Sequence, residues 1–185
     1  MTTPMTTPMT TRTFVEGRYV PAGPWADAKI ERQVKHLVAD YRAGEAHEER
    51  TLFDAHGDIA SRVVARATLT AAIGPTVVFH RLVLSPGRRA GVVRPIDLRT
   101  WTRLLLMDLG HDLGQRLVWV AAAHRNTDDP HIHVLLAGAA ARTRWPHNGK
   151  VRGVELRTPH YALLRERGDV RAAEIRQING DGTAA

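Results

Sequence analysis

The chain has 185 residues, a length typical of one domain with a hydrophobic core of its own. It contains 26 Lys and Arg against 19 Asp and Glu, a formal net charge of +7, and no cysteine. The lack of cysteine excludes disulfides and thiolate metal sites and leaves histidine and the carboxylates as metal ligands.

The positive charge is carried almost wholly by arginine, because Lys29, Lys35 and Lys150 are the only lysines. Arginine binds phosphate through two hydrogen bonds and stacks on bases, so this excess favours a nucleic-acid partner. A GC-rich genome would explain the ratio of arginine to lysine but not the net sign of the charge. No run approaches the roughly 18 apolar residues of a membrane span, and the start lacks the apolar core of a secretory signal, so we expect a soluble cytoplasmic protein.

The N-terminal residues predict little regular structure. Residues 1–12 repeat the letters MTTP, a low-complexity pattern, and several Gly and Pro residues follow before residue 25. We therefore expect residues 1–25 to be disordered beyond a short extended piece, a folded domain over 26–178, and a loose tail over 179–185.

Two amphipathic helices are predicted next. From Ala26, apolar residues recur at spacings of three and four, with Gly44 as a stop: Ile30, Val34, Leu37, Val38, Tyr41. After a charged loop, a second helix is predicted up to Gly74 from a further apolar set: Ile59, Val63, Val64, Ala67, Leu69.

The second half of the chain alternates strand and helix patterns. Residues 76–85 are β-branched and apolar and predict a strand, which Pro86 ends. Residues 98–113 predict an amphipathic helix with Asp97 at its start and Gly114 at its end. A last helical region is predicted over 155–178, with a break near Gly168. The layout is typical of an α+β fold with a central antiparallel β-sheet flanked by helices.

Between these helices, residues 117–123 and 132–136 are two apolar runs joined by a polar segment, the pattern of a β-hairpin. Because side chains alternate along a strand, His131 and His133 are expected on one face, with His124 opposite His131 across the loop. Three imidazoles would then meet at one point and could share a metal ion. The alternative is three half-exposed histidines that bond to loop carbonyls.

This string resembles the signature of the conjugative relaxases, plasmid mobilisation nucleases of the HUH endonuclease superfamily. In the mobilisation-type branch the pattern reads roughly W-V-A-x-x-H-x-N-T-x-x-P-H-x-H-x-x-x-x-G. It is matched here by Trp119, Val120, Ala121, His124, Asn126, Thr127, Pro130, His131, His133 and Gly138. The strand over 76–85 is close to the wording F-R-x-x-V-S-P through Phe79, Val83, Ser85 and Pro86, and the run LRTPHYALLRER resembles the family's segment after the histidines.

The resemblance implies a fold related to the RRM or ferredoxin-like core, with the strand over 76–85 as its central strand. It implies that His124, His131 and His133 hold a divalent ion, Mn²⁺ or Mg²⁺ in the family, with Zn²⁺ also compatible with imidazole ligands. The implied activity is nicking and transfer of single-stranded DNA at a plasmid origin of transfer through a 5′-phosphotyrosine link, with relaxosome accessory proteins as partners.

The nucleophile is where the sequence departs from the family pattern H-L-x-Y-x-x-R-x-G. His36, Leu37 and Arg42 fall in register, but Ala39 occupies the tyrosine position. Tyr41 stands two residues on, about 200° round a helix, and is our first candidate. The alternatives are attack by His36, a structural role for the Tyr41 ring, and a protein that has lost cleavage.

Arginines near the motifs are candidates for phosphate contacts, although an arginine on a loop is often only solvated. They are Arg42, Arg81, Arg88, Arg89 and Arg125. His80, inside the predicted strand, is either a core residue or a group behind the metal ligands. Aromatic residues make up 5% of the chain, so base stacking offers little for predicting sequence preference. Related functions remain open: a rolling-circle replication initiator, a transposase, or a module that binds single-stranded DNA without cutting it.

Overall fold

The computed structural model describes residues 12–38, 50–87, 92, 94–124, 130–141 and 152–181. In these ranges the chain forms one six-stranded sheet and four helices. In chain order they are β1 (Phe14–Pro21), α1 (Ala26–Val38), β2 (Leu52–Phe53), β3 (Asp58–Ile59), α2 (Arg62–Thr70), β4 (Val77–Ser85), α3 (Pro95–Leu113), β5 (Trp119–His124), β6 (His131–Ala137) and α4 (Thr158–Asp181).

The sheet has the strand order β1-β4-β6-β5-β2-β3, and its paired strands are antiparallel. The predicted α+β fold with a central antiparallel sheet is therefore confirmed. The strand predicted over 76–85 is β4, which lies inside the sheet between β1 and β6.

Each face of the sheet carries its own hydrophobic core, because alternate side chains of a strand point to opposite faces. One core packs strand residues such as Leu82 and Val134 against α3 and α4. The other packs residues such as Phe79 and Leu135 against α1 and α2. Burial on both faces explains why β4 and β6 read as nearly continuous apolar runs.

The predicted break near Gly168 is wrong, because α4 runs unbroken from Thr158 to Asp181. A glycine inside a helix costs about 1 kcal/mol relative to alanine. Here a Cβ at Gly168 would meet the side chain of Thr13, and the Gly168 carbonyl accepts a hydrogen bond of 2.9 Å from Nε1 of the fully buried Trp101. Close packing, and not a helix end, accounts for this glycine.

The domain begins earlier and ends later than predicted. β1 lies within residues 1–25, where only a short extended piece was expected, and it pairs with β4 from Phe14 to Pro21. A strand forms despite Gly17 because the Tyr161 ring packs over that glycine, where a Cβ would overlap the ring. At the other end, α4 passes residue 178, and Asn179 accepts a 2.6 Å hydrogen bond from Arg94.

The predicted start of the second helix is a few residues too early. Ile59 belongs to the short strand β3, and α2 starts after Ser61, whose hydroxyl accepts a hydrogen bond from the Val64 amide. This start leaves Val63 76% exposed and buries Leu69. The first helix and the third agree with expectation, including Gly114 at the end of α3 with φ 56°. Tyr41 and Gly44, predicted for the first helix, lie outside the described residues.

Candidate metal centre

The three histidines of the motif lie together on one face of the sheet. In the antiparallel ladder of β5 and β6, His124 is the Cα partner of His131, and His133 follows two residues later on the same face. The ring centroids are 5.4 Å apart for His124 and His131, 4.2 Å for His124 and His133, and 5.0 Å for His131 and His133. The predicted convergence of three imidazoles is confirmed. We call these residues the histidine trio.

The trio has the donors and spacing that one divalent ion needs. One ring nitrogen from each histidine lies within 4.8 Å of the others. Metal–nitrogen bonds are about 2.1 Å long, so nitrogens on one ion are separated by up to about 4 Å, slightly less than the spacing limit in this structure. Among the residues that the structure describes, this is the one such cluster of three or more potential ligands. Imidazole suits Zn²⁺, Mn²⁺ and similar ions better than Mg²⁺.

His124 is the most constrained member of the trio. It is buried, and its Nε2 lies 3.3 Å from the Leu37 carbonyl oxygen at the end of α1. Arg50 Nη1 lies 2.9 Å from Nδ1 and 3.0 Å from Nε2. The Leu37 carbonyl is satisfied when Nε2 donates to it. The carbonyl thus orients the ring and leaves Nδ1 unprotonated and able to bind a metal ion. Because Arg50 Nη1 is almost equidistant from the two ring nitrogens, it lies over the ring and does not occupy the lone pair of Nδ1.

The start of β6 is tied to the end of β4 by Ser85. Its hydroxyl donates a 2.9 Å hydrogen bond to the Pro130 carbonyl and accepts one of 3.2 Å from the Gly87 amide. Because Pro130 directly precedes His131, this link holds the first ligand of the strand in place. Ser85, the serine of the strand pattern that resembles relaxases, therefore has a structural role beside the site.

A cavity of about 270 Å³ opens beside the trio. Its lining includes His124 and His133 together with His36 from the last turn of α1 and Arg81 from β4. Arg81 faces the same side of the sheet as His133, since it pairs with Leu135 on β6. The structure therefore brings two further predicted residues, His36 and Arg81, to the metal centre.

Other predicted site residues lie outside the described residues: Tyr41, Arg42, Arg88, Arg89 and Arg125. The chain has three tyrosines. Tyr19 pairs with His80 on the face of α3 and α4, and Tyr161 packs against Gly17 on that face, where burial raises the pKa of its hydroxyl. Neither described tyrosine lies on the face of the trio.

His80 is a core residue on the far face, not a group behind the metal ligands. It pairs with Leu136, one residue out of phase with the trio, and is buried. Its Nε2 donates a 2.8 Å hydrogen bond to the Val154 carbonyl, while Nδ1 is buried with no hydrogen-bond partner. Burial lowers the pKa of His80, because a proton on Nδ1 would have no acceptor.

We expect His80 to make the fold acid-sensitive. Because its folded pKa lies below the unfolded value of about 6.5, its contribution to stability is complete above that pH and is lost as the pH falls through the folded pKa. His80→Gln keeps a donor for Val154 and cannot be protonated. Urea unfolding at about pH 7.5 and about pH 5 should show a smaller loss of stability in the variant than in the parent. An equal loss in both proteins would contradict this role.

Three contributors to the site could not be predicted from the sequence. Arg50 and Gln33 lie far from the histidines in the chain, and their types are common on surfaces. The Leu37 contribution is a backbone carbonyl, which any residue provides. The one indication in the sequence was the motif H-L around residue 36, which predicted that the end of α1 lies near the metal centre.

The chain matches no protein-family model and no curated protein. The resemblance to relaxases therefore depends on the motif residues and on the geometry that they adopt. None of the helices in the described ranges is long and apolar enough to cross a membrane.

Proposed function

We propose that the protein is a metal-dependent nuclease of the relaxase kind, which nicks single-stranded DNA at an origin of transfer and transfers the cut strand. The observation that carries the proposal is the histidine trio. An ordered sequence motif predicted that three imidazoles would meet on one hairpin face, and one ring nitrogen of each lies within 4.8 Å of the others there.

The proposed reaction is a transesterification. A tyrosine hydroxyl oxygen attacks phosphorus, its proton leaves to a base or water, and the bond from phosphorus to the 3′ oxygen breaks. The products are a 5′-phosphotyrosine and a free 3′-OH, and the reverse reaction reseals the strand. A divalent ion on the trio supplies charge neutralisation and orientation at a phosphate oxygen. His124, His131 and His133 hold that ion, and Arg81 at the edge of the cavity offers a further positive charge.

Two residues compete for the role of nucleophile. Tyr41 is favoured because the two described tyrosines, Tyr19 and Tyr161, lie on the other face of the sheet. His36 is favoured by its position in the cavity of His124 and His133. A histidine nucleophile would leave a phosphohistidine, which acid breaks down much faster than a phosphotyrosine.

A second candidate function is binding of single-stranded DNA without cleavage. The observation that favours it is Ala39, which stands where the relaxase pattern has its tyrosine. A replication initiator or transposase of the same superfamily would share the metal centre and differ in the DNA that it recognises.

A labelled-DNA assay tests these functions. A pool of random single-stranded oligonucleotides with a 3′ label is incubated with the protein and Mn²⁺ and separated on a denaturing protein gel. We expect a labelled covalent band that Tyr41→Phe removes and Tyr19→Phe, a matched tyrosine on the opposite face, preserves.

Other results of the same assay change the assignment. A band that survives Tyr41→Phe but is lost in His36→Ala would make histidine the nucleophile. DNA binding with no covalent band in Mn²⁺, Mg²⁺ or Zn²⁺ would reject the nuclease and support the binding module.

A further inference from the structure

Two further cavities adjoin the cavity of the trio. One, of about 490 Å³, lies between α1 and the strands β1 and β4, and its lining includes Trp25, Lys29 and Arg32. The other, of about 230 Å³, is lined by Glu16, Arg18, Arg81 and Val83. Gln33 lines both the cavity of the trio and the larger of these two, and Arg81 lines both the cavity of the trio and the smaller. We call these three neighbouring cavities the α1 groove.

Trp25 has an unusual place in the α1 groove. Its side chain is 79% exposed, and its φ of 70° lies in the left-handed region that favours glycine. Both features are unfavourable for the folded domain alone, since a large apolar surface faces water and the backbone is strained. Within the described ranges, the hydrogen bond of Trp25 runs from the Lys29 amide to its carbonyl and uses the backbone and not the ring. The ring is therefore free to receive another flat group.

Two arginines on neighbouring strands give the α1 groove positive charge. Arg18 and Arg81 are Cα partners across β1 and β4, both are exposed, and like charges at directly opposed positions repel each other. Glu16 lies 3.4 Å from Arg18 but is itself about half exposed, so it offsets little of this charge. Among the described residues, no side-chain hydrogen bond or ion pair involves the Arg81 guanidinium, whose backbone belongs to the β4 ladders. An anion between the two guanidinium groups would relieve the repulsion.

We propose that the α1 groove binds single-stranded DNA, with a base stacked on Trp25 and backbone phosphates held by Arg18 and Arg81. The assignment rests on the proposed function. α1 rises about 1.5 Å per residue, so the way from Trp25 to His36 is roughly 16 Å, enough for a short stretch of strand that ends at the trio. Exposed aromatic rings beside cationic side chains are how proteins hold single strands, whose bases are unpaired and free to stack.

Binding without cleavage tests the groove separately from the nuclease. Fluorescence anisotropy of a labelled oligothymidylate is measured in EDTA with the parent and with Trp25→Ala, Arg18→Ala and Arg81→Ala. We expect about tenfold weaker binding for Trp25→Ala. Each arginine variant should lower the slope of log K against log salt by about 0.7, the loss of one phosphate contact on a single strand.

Two controls match these variants. Tyr19→Ala removes an exposed ring from the opposite face of β1, and Arg176→Ala removes an exposed positive charge from α4. Both should bind DNA as the parent does. Trp25→Gly should raise the melting temperature, because glycine tolerates the positive φ, and should weaken DNA binding as Trp25→Ala does. Opposite signs for stability and binding exclude a folding defect.

The groove is refuted if the three groove variants bind the oligothymidylate as tightly as the controls do. Equal affinity for oligouridylate, with the same response to the variants, would refute the assignment to DNA. The covalent band in the nicking assay depends on Mn²⁺ and the nucleophile, so the nuclease proposal can survive either result or fail independently of it.

Discussion

Replacing His133 by alanine is expected to weaken Mn²⁺ binding by at least about 100-fold. Loss of a group that merely supports a ligand costs roughly 10-fold to 100-fold, so loss of a ligand itself should cost more. In the parent, an ion that binds the folded state alone raises the melting temperature in proportion to the logarithm of its concentration. The variant should lose this rise together with the covalent DNA band. Isothermal titration calorimetry and thermal melts with added Mn²⁺ measure both effects.

His133 is the best choice within the trio for this test. It is half-buried, whereas His124 is buried and bonded to the Leu37 carbonyl, so His124→Ala would also disturb the core. His56→Ala is the matched control, because His56 is exposed in the turn between β2 and β3. An undiminished Mn²⁺ effect in His133→Ala, with melting unchanged in its absence, would reject the trio as a metal site.

Gly138→Ala is expected to destabilise the fold by about 3 kcal/mol or more. A Cβ at this position would overlap the carbonyl oxygen of Val77, and backbone atoms cannot move aside as a flexible side chain can. The Gly138 amide donates to Val78, and its carbonyl accepts from Val154, both at 2.9 Å, so the glycine itself is held on two sides. Urea unfolding should show the loss, and the melting temperature should fall by about 10 °C.

The control for this substitution is Gly57→Ala. A Cβ at Gly57 would meet nothing within 4 Å, so its stability should change little. Equal stability of Gly138→Ala and the parent would contradict the close approach of β6 to β4 at this point. The expected result would also give the last residue of the relaxase-like motif a purely structural role, in contrast to the histidines before it.

The hairpin was predictable because its pattern determines its own geometry. Two apolar runs joined by a short polar segment fix the pairing register, and the period of two then decides which side chains share a face. His124 opposite His131 followed from that register alone. The same local rules located α1, α3 and β4, whose apolar spacing matches the faces that they bury.

Elements that depend on distant partners were not predictable in this way. β1 contains glycine and proline and becomes a strand because β4 offers it a free edge and Tyr161 covers Gly17. α4 continues through Gly168 because Trp101 and Thr13 pack against it. A single sequence does not show such neighbours.

The candidate site likewise contains residues that could be predicted from the sequence and one that could not. His36 was predicted from motif wording and Arg81 as an arginine near a motif, and both line the cavity of the trio. A stacking role for Trp25 was not predicted, because the chain contains few aromatic residues. Its significance depends on a backbone angle and on exposure, which only coordinates provide.

The pairing of β5 with β6 has a consequence for how an ion would be captured. Strand hydrogen bonds and apolar burial bring the three rings near one another, so the entropy of assembling the site is lost when the chain folds. Small zinc modules, in contrast, acquire their shape only when the metal arrives. We therefore expect that an ion which binds the trio enters and leaves reversibly while the scaffold around it stays intact.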